Sequence, residues 1–364
     1  MSQKSGELKA QGVDVINLSV GEPDFNTPEP IKEAAKKAID ENYSRYSPVA
    51  GYPALRNAIV AKLKNENGLE YTANQISCAN GAKQSVCNTI MVLVNPGDEV
   101  IIPAPFWVSY PEMVKLAEGT PVIIAAGIEQ DFKITPAQLE AAITPKTKAL
   151  ILCSPSNPTG SVYSAEELAG LAEVLKKHPE IIVIADEIYE HINYIGKHNS
   201  IAQIDGMKDR TVIVNGVSKA YAMTGSRIGY AAGPERLIAP IYCAHQYSAM
   251  CPCTYAQWGA VAALRGPQGH IADMVKELDR RRLMLLDRLA AMPGVFFVRP
   301  KGAFYIMVSI PGLGTPMQAA EFLLDAGLAI VPWDEEHLRI SYANSYENLS
   351  IAMDRMEKAL RGRF

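Results

Sequence analysis

Apolar residues in the first two thirds of the chain fall into short continuous runs separated by stretches with helical spacing. Seven runs rich in Val, Ile and Ala are typical of buried strands: 75–79, 99–103, 121–125, 149–153, 181–185, 211–214 and 228–232. The stretches between them place apolar residues three or four positions apart, as amphipathic helices do. This alternation predicts an α/β fold with a mostly parallel seven-stranded sheet between helices.

The ends of the chain follow a different pattern. Residues 13–20 resemble a short strand, and a helix over 31–41 follows with Thr27 as its N-cap. Helical spacing covers 248–265 and 270–291, and short strands then alternate with helices to residue 360. Because 364 residues are many for one hydrophobic core, we expect two domains. The large α/β domain should comprise residues 25–265, and a smaller α+β domain residues 1–24 and 266–364.

Composition narrows the classes of function. The chain has 35 basic and 39 acidic residues without a basic block, so nothing predicts binding to nucleic acid or an anionic membrane. It shows neither the apolar stretch of a secretory signal nor an apolar run of membrane-spanning length. Six scattered cysteines, of which only Cys251 and Cys253 are close, favour free thiols in a reducing cytoplasm over a zinc site. We expect a cytoplasmic protein without a metal.

The segment 211–233 carries the clearest candidate chemistry. Lys219 follows the apolar run 211–214, and Arg227 comes eight residues later, directly before the run 228–232. Desolvation beside buried structure lowers the pKa of a lysine, and the neutral amine is a nucleophile. The planar fork of an arginine suits a phosphate. The pair suggests pyridoxal phosphate held as a Schiff base, although most lysines beside turns are simply solvated.

Other candidate site residues follow the carboxyl ends of the expected strands, where ligands bind in parallel sheets. They are Gly81, Ala82, Lys83, Trp107, Asn157, Asp186 and Tyr189. The turn 81–83 leads into a helix N-terminus, whose N–H groups and dipole favour an anion. Each residue alone has a simpler explanation, such as a solvated turn or a core aromatic. Their collection at one sheet edge favours a common site.

The segments that carry these residues resemble the motifs of class I/II aminotransferases of fold type I, in the family's order. They are LSVGEPDF (18–25), RYSPVAGYPALR (45–56), NGAKQ (80–84), FWVSYPEM (106–113), SPSNPTG (154–160), ADEIYEH (185–191), NGVSKAYAMTGSRIGYAAG (215–233), KGAFY (301–305) and HLRISYA (337–343). The chain is most similar to the prokaryotic-type aspartate aminotransferases, a subgroup that includes prephenate aminotransferases. The resemblance implies a pyridoxal-phosphate-dependent transaminase that forms a homodimer with shared active sites.

For the cofactor, the resemblance implies a role for each residue at the sheet edge. Lys219 would hold the cofactor and move the Cα proton of the substrate, and Asp186 would keep the pyridine nitrogen protonated. Tyr189 and Asn157 would hydrogen-bond the phenolic oxygen, and Trp107 would stack on the ring. The phosphate would be bound by Gly81, Ala82, Ser218, Arg227 and, from the neighbouring subunit, Tyr46, and Lys83 would also belong to the cofactor-binding set.

For the substrate, the resemblance implies that Arg339 clamps the α-carboxylate and that Lys83 faces the side-chain carboxylate of acidic substrates. Gly21, Trp107 and Asn157 would complete this part of the site. We expect amino transfer from L-aspartate to 2-oxoglutarate, giving oxaloacetate and L-glutamate. Prephenate or broad aromatic and dicarboxylic amino transfer is the alternative. A pyridoxal-phosphate-dependent lyase is more distant, because Arg339 and Lys83 occur together.

Three features depart from the family pattern. Ser226 stands where the family usually has tryptophan, which would loosen the pocket wall. The segments near residues 310 and 333 and the N-terminal part are shorter than the resemblance implies. We expect flexible segments of the protein to be absent from this sequence at those points.

Overall fold

Helical spacing in the sequence corresponds to twelve α-helices in the part of the chain that the computed structural model describes, residues 2–361 and 363. These helices are α1 Ser2–Ala10, α2 Glu29–Asp40, α3 Pro53–Asn67, α4 Ala82–Leu93, α5 Ser109–Leu116, α6 Pro136–Ala142, α7 Ala165–Lys176, α8 Glu235–Ser248, α9 Thr254–Arg265, α10 Gly269–Ala290, α11 Pro316–Asp325 and α12 Tyr346–Leu360.

The apolar runs form strands. These strands are β1 Ile16–Asn17, β2 Ile76–Asn80, β3 Glu99–Ala104, β4 Thr120–Ala125, β5 Thr147–Cys153, β6 Ile182–Asp186, β7 Thr211–Gly216, β8 Ile228–Ala232, β9 Phe296–Phe297, β10 Tyr305–Ser309, β11 Leu328–Ala329, β12 Val331–Pro332 and β13 Leu338–Ser341.

The main sheet has seven strands in the order β2-β8-β7-β6-β5-β3-β4. Only β8 runs against its neighbours, since it pairs antiparallel with both β2 and β7 while the other pairs are parallel. The predicted α/β fold with a mostly parallel seven-stranded sheet is therefore confirmed.

Helices cover both faces of this sheet, which explains why its strands are apolar without alternation. In β7, Val212 and Val214 belong to the same buried cluster as α4, α5 and α8, whereas Ile213 belongs to a second cluster with α3 and α9. A third cluster joins the sheet to α6 and α7. With both faces covered, polar residues at the carboxyl ends of the strands become the sheet's contact with solvent and ligands.

The C-terminal elements form a smaller antiparallel sheet in the order β12-β13-β10-β9. The N-terminal segment joins this part of the fold, because β1 pairs with β11 and the Ser341 N–H donates to the Leu18 carbonyl at 2.9 Å. This packing agrees with a small domain built from both ends of the chain, but the boundaries at residues 24 and 265 stay predictions.

Some local predictions were wrong. The N-cap position of α2 is Pro28, and the Thr27 hydroxyl donates instead to the carbonyl of Ala222. The strand expected over 13–20 is limited to β1. The helix expected over 248–265 is two helices, because α8 ends at Ser248 and α9 begins only at Thr254, after a break that contains Pro252. Helix α8 was missed; Pro240 lies inside it and weakens its sequence signal.

The two short segments, near residues 310 and 333, are held by local hydrogen bonds. Near residue 333, the Trp333 N–H donates to the His337 carbonyl at 2.9 Å, and the Asp334 carboxylate accepts from the N–H groups of Glu336 and His337. Near residue 310, Thr315 caps α11. The expected absence of residues at these points stays a prediction.

Among the described residues, no helix combines the length and the apolar stretch needed to cross a membrane. All six cysteines are free thiols.

Candidate active site

A cavity of 390 Å³ lies where several strands of the main sheet end. Eleven of the predicted site residues line it: Gly21, Ala82, Lys83, Trp107, Asn157, Asp186, Tyr189, Ser218, Lys219, Arg227 and Arg339. A larger, open groove of 810 Å³ elsewhere on the molecule is lined by none of these residues. The chemistry predicted from separate motifs is thus brought together in one place.

Lys219 lies in the loop after β7, with its ammonium directed into the cavity. Its Nζ donates to the Gly21 carbonyl at 2.6 Å. Burial lowers the pKa of Lys219 to about 8, and Arg339 and Arg227 act in the same direction against Glu22 and Asp186. An amine with this pKa carries a useful neutral fraction near neutral pH, so it can act as a nucleophile or a base.

Asp186 is the last residue of β6 and is 4% exposed. The Tyr110 hydroxyl donates to its Oδ2 at 2.6 Å, and the Ile188 N–H donates to its Oδ1 at 3.3 Å. Burial raises the pKa of Asp186, whereas these two hydrogen bonds lower it because they stabilise the carboxylate. A fixed, buried carboxylate on the cavity wall is suited to a protonated ring nitrogen.

Three further predicted residues surround the space between Lys219 and Asp186. The Tyr189 hydroxyl lies 2.9 Å from the Tyr305 hydroxyl, and burial raises the pKa of Tyr189 well above its ordinary value. Asn157 accepts a hydrogen bond from Arg339 through its side-chain oxygen. The ring of Trp107 meets that of Tyr110 edge to face, which leaves an indole on the cavity wall where a flat ligand can stack.

An anion-binding corner forms at the start of α4. Gly81 precedes this helix with φ 83°, and the first turn of α4 leaves N–H groups without helical partners. The Arg227 guanidinium lies against Gly81, so closely that a Cβ atom at Gly81 would be 2.3 Å from its Nη2. Arg227 itself has φ 54°, a costly conformation for a residue other than glycine. Two sources of positive potential therefore converge on one corner.

Gly229 in β8 lets this corner form. A Cβ atom there would lie 2.2 Å from the Ala82 backbone nitrogen, so Gly229→Ala should push the start of α4 away. We expect a loss of about 1–3 kcal/mol in the free energy of unfolding and weaker phosphate binding. Chemical denaturation and titration with inorganic phosphate measure the two effects.

Gly225→Ala is the matched control, because a Cβ atom at Gly225 would have no atom within 4 Å. If Gly229→Ala behaved like this control in both measurements, the close approach of β8 to α4 would not matter for the corner.

Arg339 on β13 supplies a second cationic group. It is 6% exposed, and its guanidinium lies between the rings of Trp333 and Tyr305, with its carbon 4.3 Å and 4.5 Å from their centroids. Nη1 donates to Asn157 and Nη2 to the Ser19 carbonyl, whereas the buried Nε has no hydrogen-bond partner. A buried cation without a carboxylate partner favours an anionic ligand.

Lys83 provides a third cation at the cavity wall, with its Nζ 4.8 Å from the centroid of the Trp107 ring. It is exposed and lies in the first turn of α4, where the helix dipole disfavours a cation unless an anion is near. Arg339 and Lys83 both line the cavity, so an anionic ligand bound there can meet two cations.

The cavity matches the chemical needs of pyridoxal phosphate. The corner at Gly81 and Arg227 suits its phosphate, Asp186 its ring nitrogen, Lys219 its aldehyde, and the Trp107 ring its flat face.

Two notable residues lie outside the cavity. Tyr46 is 82% exposed and lies beside Cys251 and Tyr255, not on the wall of this cavity. Ser226 is partly exposed and its N–H donates to the Met223 carbonyl at 3.1 Å, although its neighbour Arg227 lines the cavity. Nothing in the structure explains why serine stands at position 226.

The structure adds lining residues that sequence reasoning did not assign: Val108, Tyr110, Cys153, Ile188, Thr224, Tyr305 and Trp333. Tyr110 and Tyr305 belong to the quoted motifs FWVSYPEM and KGAFY, so a signal existed for them. Trp333 lies in the short segment near residue 333 and had no such signal.

The family described as aminotransferase class I and II matches residues 13–356 of the chain. The chain is 46% identical to the aspartate/prephenate aminotransferase of Cereibacter sphaeroides over 380 aligned positions, covering 100% of this chain and 95% of that protein. It is 44% identical to the aspartate aminotransferase of Geobacillus stearothermophilus, with 100% and 95% covered. Because the first alignment is longer than the 364-residue chain, that relative has residues where this chain has none.

Solved structures of aminotransferases also resemble this fold. The aspartate aminotransferase of Rhizobium meliloti superposes with a TM-score of 0.96 at 41% identity, covering 99% of this chain and 94% of that one. The aspartate aminotransferase of Thermus thermophilus with maleate gives 0.95 at 42% identity, covering 99% and 95%. An aromatic aminotransferase from Pyrococcus horikoshii gives 0.93 at 42% identity, covering 99% of each chain.

Proposed function

Because the chain belongs to the class I and II aminotransferases, we propose that it transfers the amino group of L-aspartate to 2-oxoglutarate with pyridoxal phosphate as cofactor. The observation that carries this proposal is the cavity in which Lys219, Asp186, Arg339 and Lys83 meet. It combines an amine of lowered pKa with cations for both carboxylates of a dicarboxylic substrate.

The cofactor's contribution is an electron-accepting ring that makes the Cα–H bond of a bound amino acid acidic. The protein's own residues do the rest. Asp186 fixes a negative charge at the ring nitrogen, and the corner at Gly81 and Arg227 anchors the phosphate. Lys219 would accept the Cα proton as a positioned general base and release it again as a general acid.

The substrate class follows from charge. Arg339 would bind the α-carboxylate through two parallel N–H groups. This bidentate geometry is the one in which a guanidinium binds a carboxylate best. Lys83 lies beside Trp107 and would face a second carboxylate. In support, the Thermus thermophilus enzyme was solved with maleate, which carries two carboxylates, and several relatives are named for aspartate.

Prephenate is the second candidate acceptor. The Cereibacter sphaeroides relative is named for both aspartate and prephenate, and prephenate also carries two carboxylates. The same two cations therefore serve both substrates, and Trp107, Tyr305 and Trp333 supply aromatic surface for a ring.

We propose further that the protein is a cytoplasmic homodimer. Tyr46 would then reach the phosphate corner of the partner's site, a role that fits its 82% exposure in the single chain.

The function is tested by half-reactions of the purified enzyme, in which the cofactor spectrum is followed after mixing with one amino acid at a time. We expect conversion with aspartate and glutamate and slower conversion with alanine. The reverse half-reaction with 2-oxoglutarate and prephenate decides between the two acceptors. Conversion by alanine as fast as by aspartate would reject the dicarboxylic assignment.

Lys83→Ala should weaken the preference for acidic substrates. Loss of one charge-assisted contact should lower kcat/KM for aspartate about tenfold to a hundredfold and leave that for alanine nearly unchanged. The ratio of the two kcat/KM values, measured in single-turnover reactions at low salt, is the readout.

Two controls separate charge at this position from charge in general. Lys83→Arg keeps a cation and should keep most of the preference. Lys146→Ala removes the same net charge at an exposed position outside the cavity and should change nothing. An unaltered ratio in Lys83→Ala would remove Lys83 from the substrate site.

A further inference from the structure

The buried hydroxyl of Tyr110, one of the residues that line the cavity, has no role in the mechanism above. It lies on α5, is 2% exposed, and donates to Oδ2 of Asp186 at 2.6 Å. Because its hydroxyl is buried beside a carboxylate, the pKa of Tyr110 lies well above its ordinary value, so the proton stays on the oxygen. Tyr110 therefore donates to Asp186 when Asp186 is a carboxylate.

We propose that Tyr110 is a positioning residue that holds Asp186 as an oriented anion facing the cofactor ring. This inference rests on the proposed function, because Asp186 matters only if it meets a ring nitrogen. Two groups donate to the carboxylate of Asp186. The hydrogen bond from the Ile188 N–H is the longer one, at 3.3 Å, so Tyr110 makes the stronger contact.

Trp107, which can stack on a ligand, and Tyr110, which holds Asp186, lie close together in the chain. Trp107 lies just before α5 and Tyr110 in its first turn, with the Tyr110 N–H bonded to the Trp107 carbonyl and their rings edge to face. The same segment thus presents a stacking ring to the cavity and a hydroxyl to Asp186. A shift of this segment would move both together.

The other ionisable groups around Asp186 do not replace this donor. Cys153 on β5 is neutral, since burial raises its pKa to about 12. Glu187, next in the chain, is a second buried carboxylate and favours protonation of Asp186, while Lys219 beyond β7 opposes it. Burial and the Glu187 carboxylate both favour the protonated form of Asp186, and the hydrogen bond from Tyr110 opposes them. Without the Tyr110 hydroxyl, the pKa of Asp186 would therefore rise.

The test is a double-mutant cycle on cofactor binding. Apoprotein is titrated with pyridoxal phosphate for the wild type, Tyr110→Phe, Asp186→Asn and the double variant. We expect Tyr110→Phe to weaken binding about tenfold in the wild-type background and by less than about twofold in the Asp186→Asn background, where no carboxylate remains to be held. Equal factors in both backgrounds would overturn the proposal.

Kinetics give a second readout. In Tyr110→Phe, kcat should fall about tenfold to a hundredfold with little change in KM, and the acid limb of its pH profile should move to higher pH. Tyr342→Phe is the control, because Tyr342 is 1% exposed, donates to the Ala303 carbonyl and lies outside the cavity. An acid limb unmoved relative to this control would contradict the proposal.

Infrared difference spectra of the wild type against Asp186→Asn, both as apoprotein, answer the same question if Tyr110→Phe does not fold. A carboxylate signal for Asp186 at neutral pH supports the proposal, and a carboxylic acid signal overturns it. Failure of the wild type to bind pyridoxal phosphate would reject the proposed function, which is a separate result.

Discussion

Lys219→Ala should abolish amino transfer, lowering kcat by about 10⁴-fold or more, the upper end of what a positioned general base contributes. The reason is that Lys219 combines the covalent link to the cofactor with the transfer of the Cα proton. An exposed lysine cannot replace Lys219, because burial is what lowers the pKa of Lys219 to about 8. Borohydride reduction of the holoenzyme, followed by peptide mass spectrometry, should find the cofactor on Lys219 in the wild type and on no lysine in the variant.

The pH dependence of cofactor capture is part of the same expectation. The neutral fraction of Lys219 grows as pH rises through about 8, so the rate at which apoprotein captures pyridoxal phosphate should rise over that range and then level off. Lys146→Ala, an exposed lysine outside the cavity, is the control and should behave like the wild type. A reduced cofactor found on Lys83 would refute the assignment.

Arg339→Ala should have the second largest effect, a fall of about 10²- to 10⁴-fold in kcat/KM for every amino acid substrate. Two charge-assisted hydrogen bonds to the α-carboxylate are lost, each worth about 1.5–3 kcal/mol. Unlike Lys83→Ala, this change should not discriminate between aspartate and alanine, because both carry the α-carboxylate. Steady-state kinetics with both substrates measure it.

Arg339→Lys should recover only a small part of this loss. An ammonium cannot form the planar fork, and it stacks poorly between Trp333 and Tyr305. Arg210→Lys is a matched control, since Arg210 is also 6% exposed but donates to backbone carbonyls away from the cavity. An Arg339→Lys enzyme as active as the wild type would show that a point charge suffices and that the bidentate clamp is wrong.

The two predictions also separate binding from chemistry. Lys219→Ala should still bind a carboxylic substrate analogue, because Arg339 and Lys83 remain in place. Arg339→Ala should still hold the cofactor, because Lys219, Asp186 and the corner at Gly81 are intact.

Much of the architecture follows from local sequence signals. Seven apolar runs predicted seven strands, and polar residues after those runs predicted where ligands would meet the sheet edge. Lys219, Asp186 and Asn157 could be chosen because each comes shortly after a run that is buried on both sides. Patterns fail where a local signal is ambiguous, as at Thr27, whose hydroxyl caps no helix but reaches Ala222.

The sequence by itself determined the strands of the sheet, most of its covering helices and many of the residues at its edge, because periodic burial and strand ends are properties of neighbouring residues. Only the tertiary structure decided which partners these residues have. The contact of Lys219 with Gly21 joins positions 198 apart, and that of Arg339 with Ser19 joins positions 320 apart. Such contacts depend on how distant elements pack, and packing sets the burial, and hence the pKa, of Lys219 and Asp186.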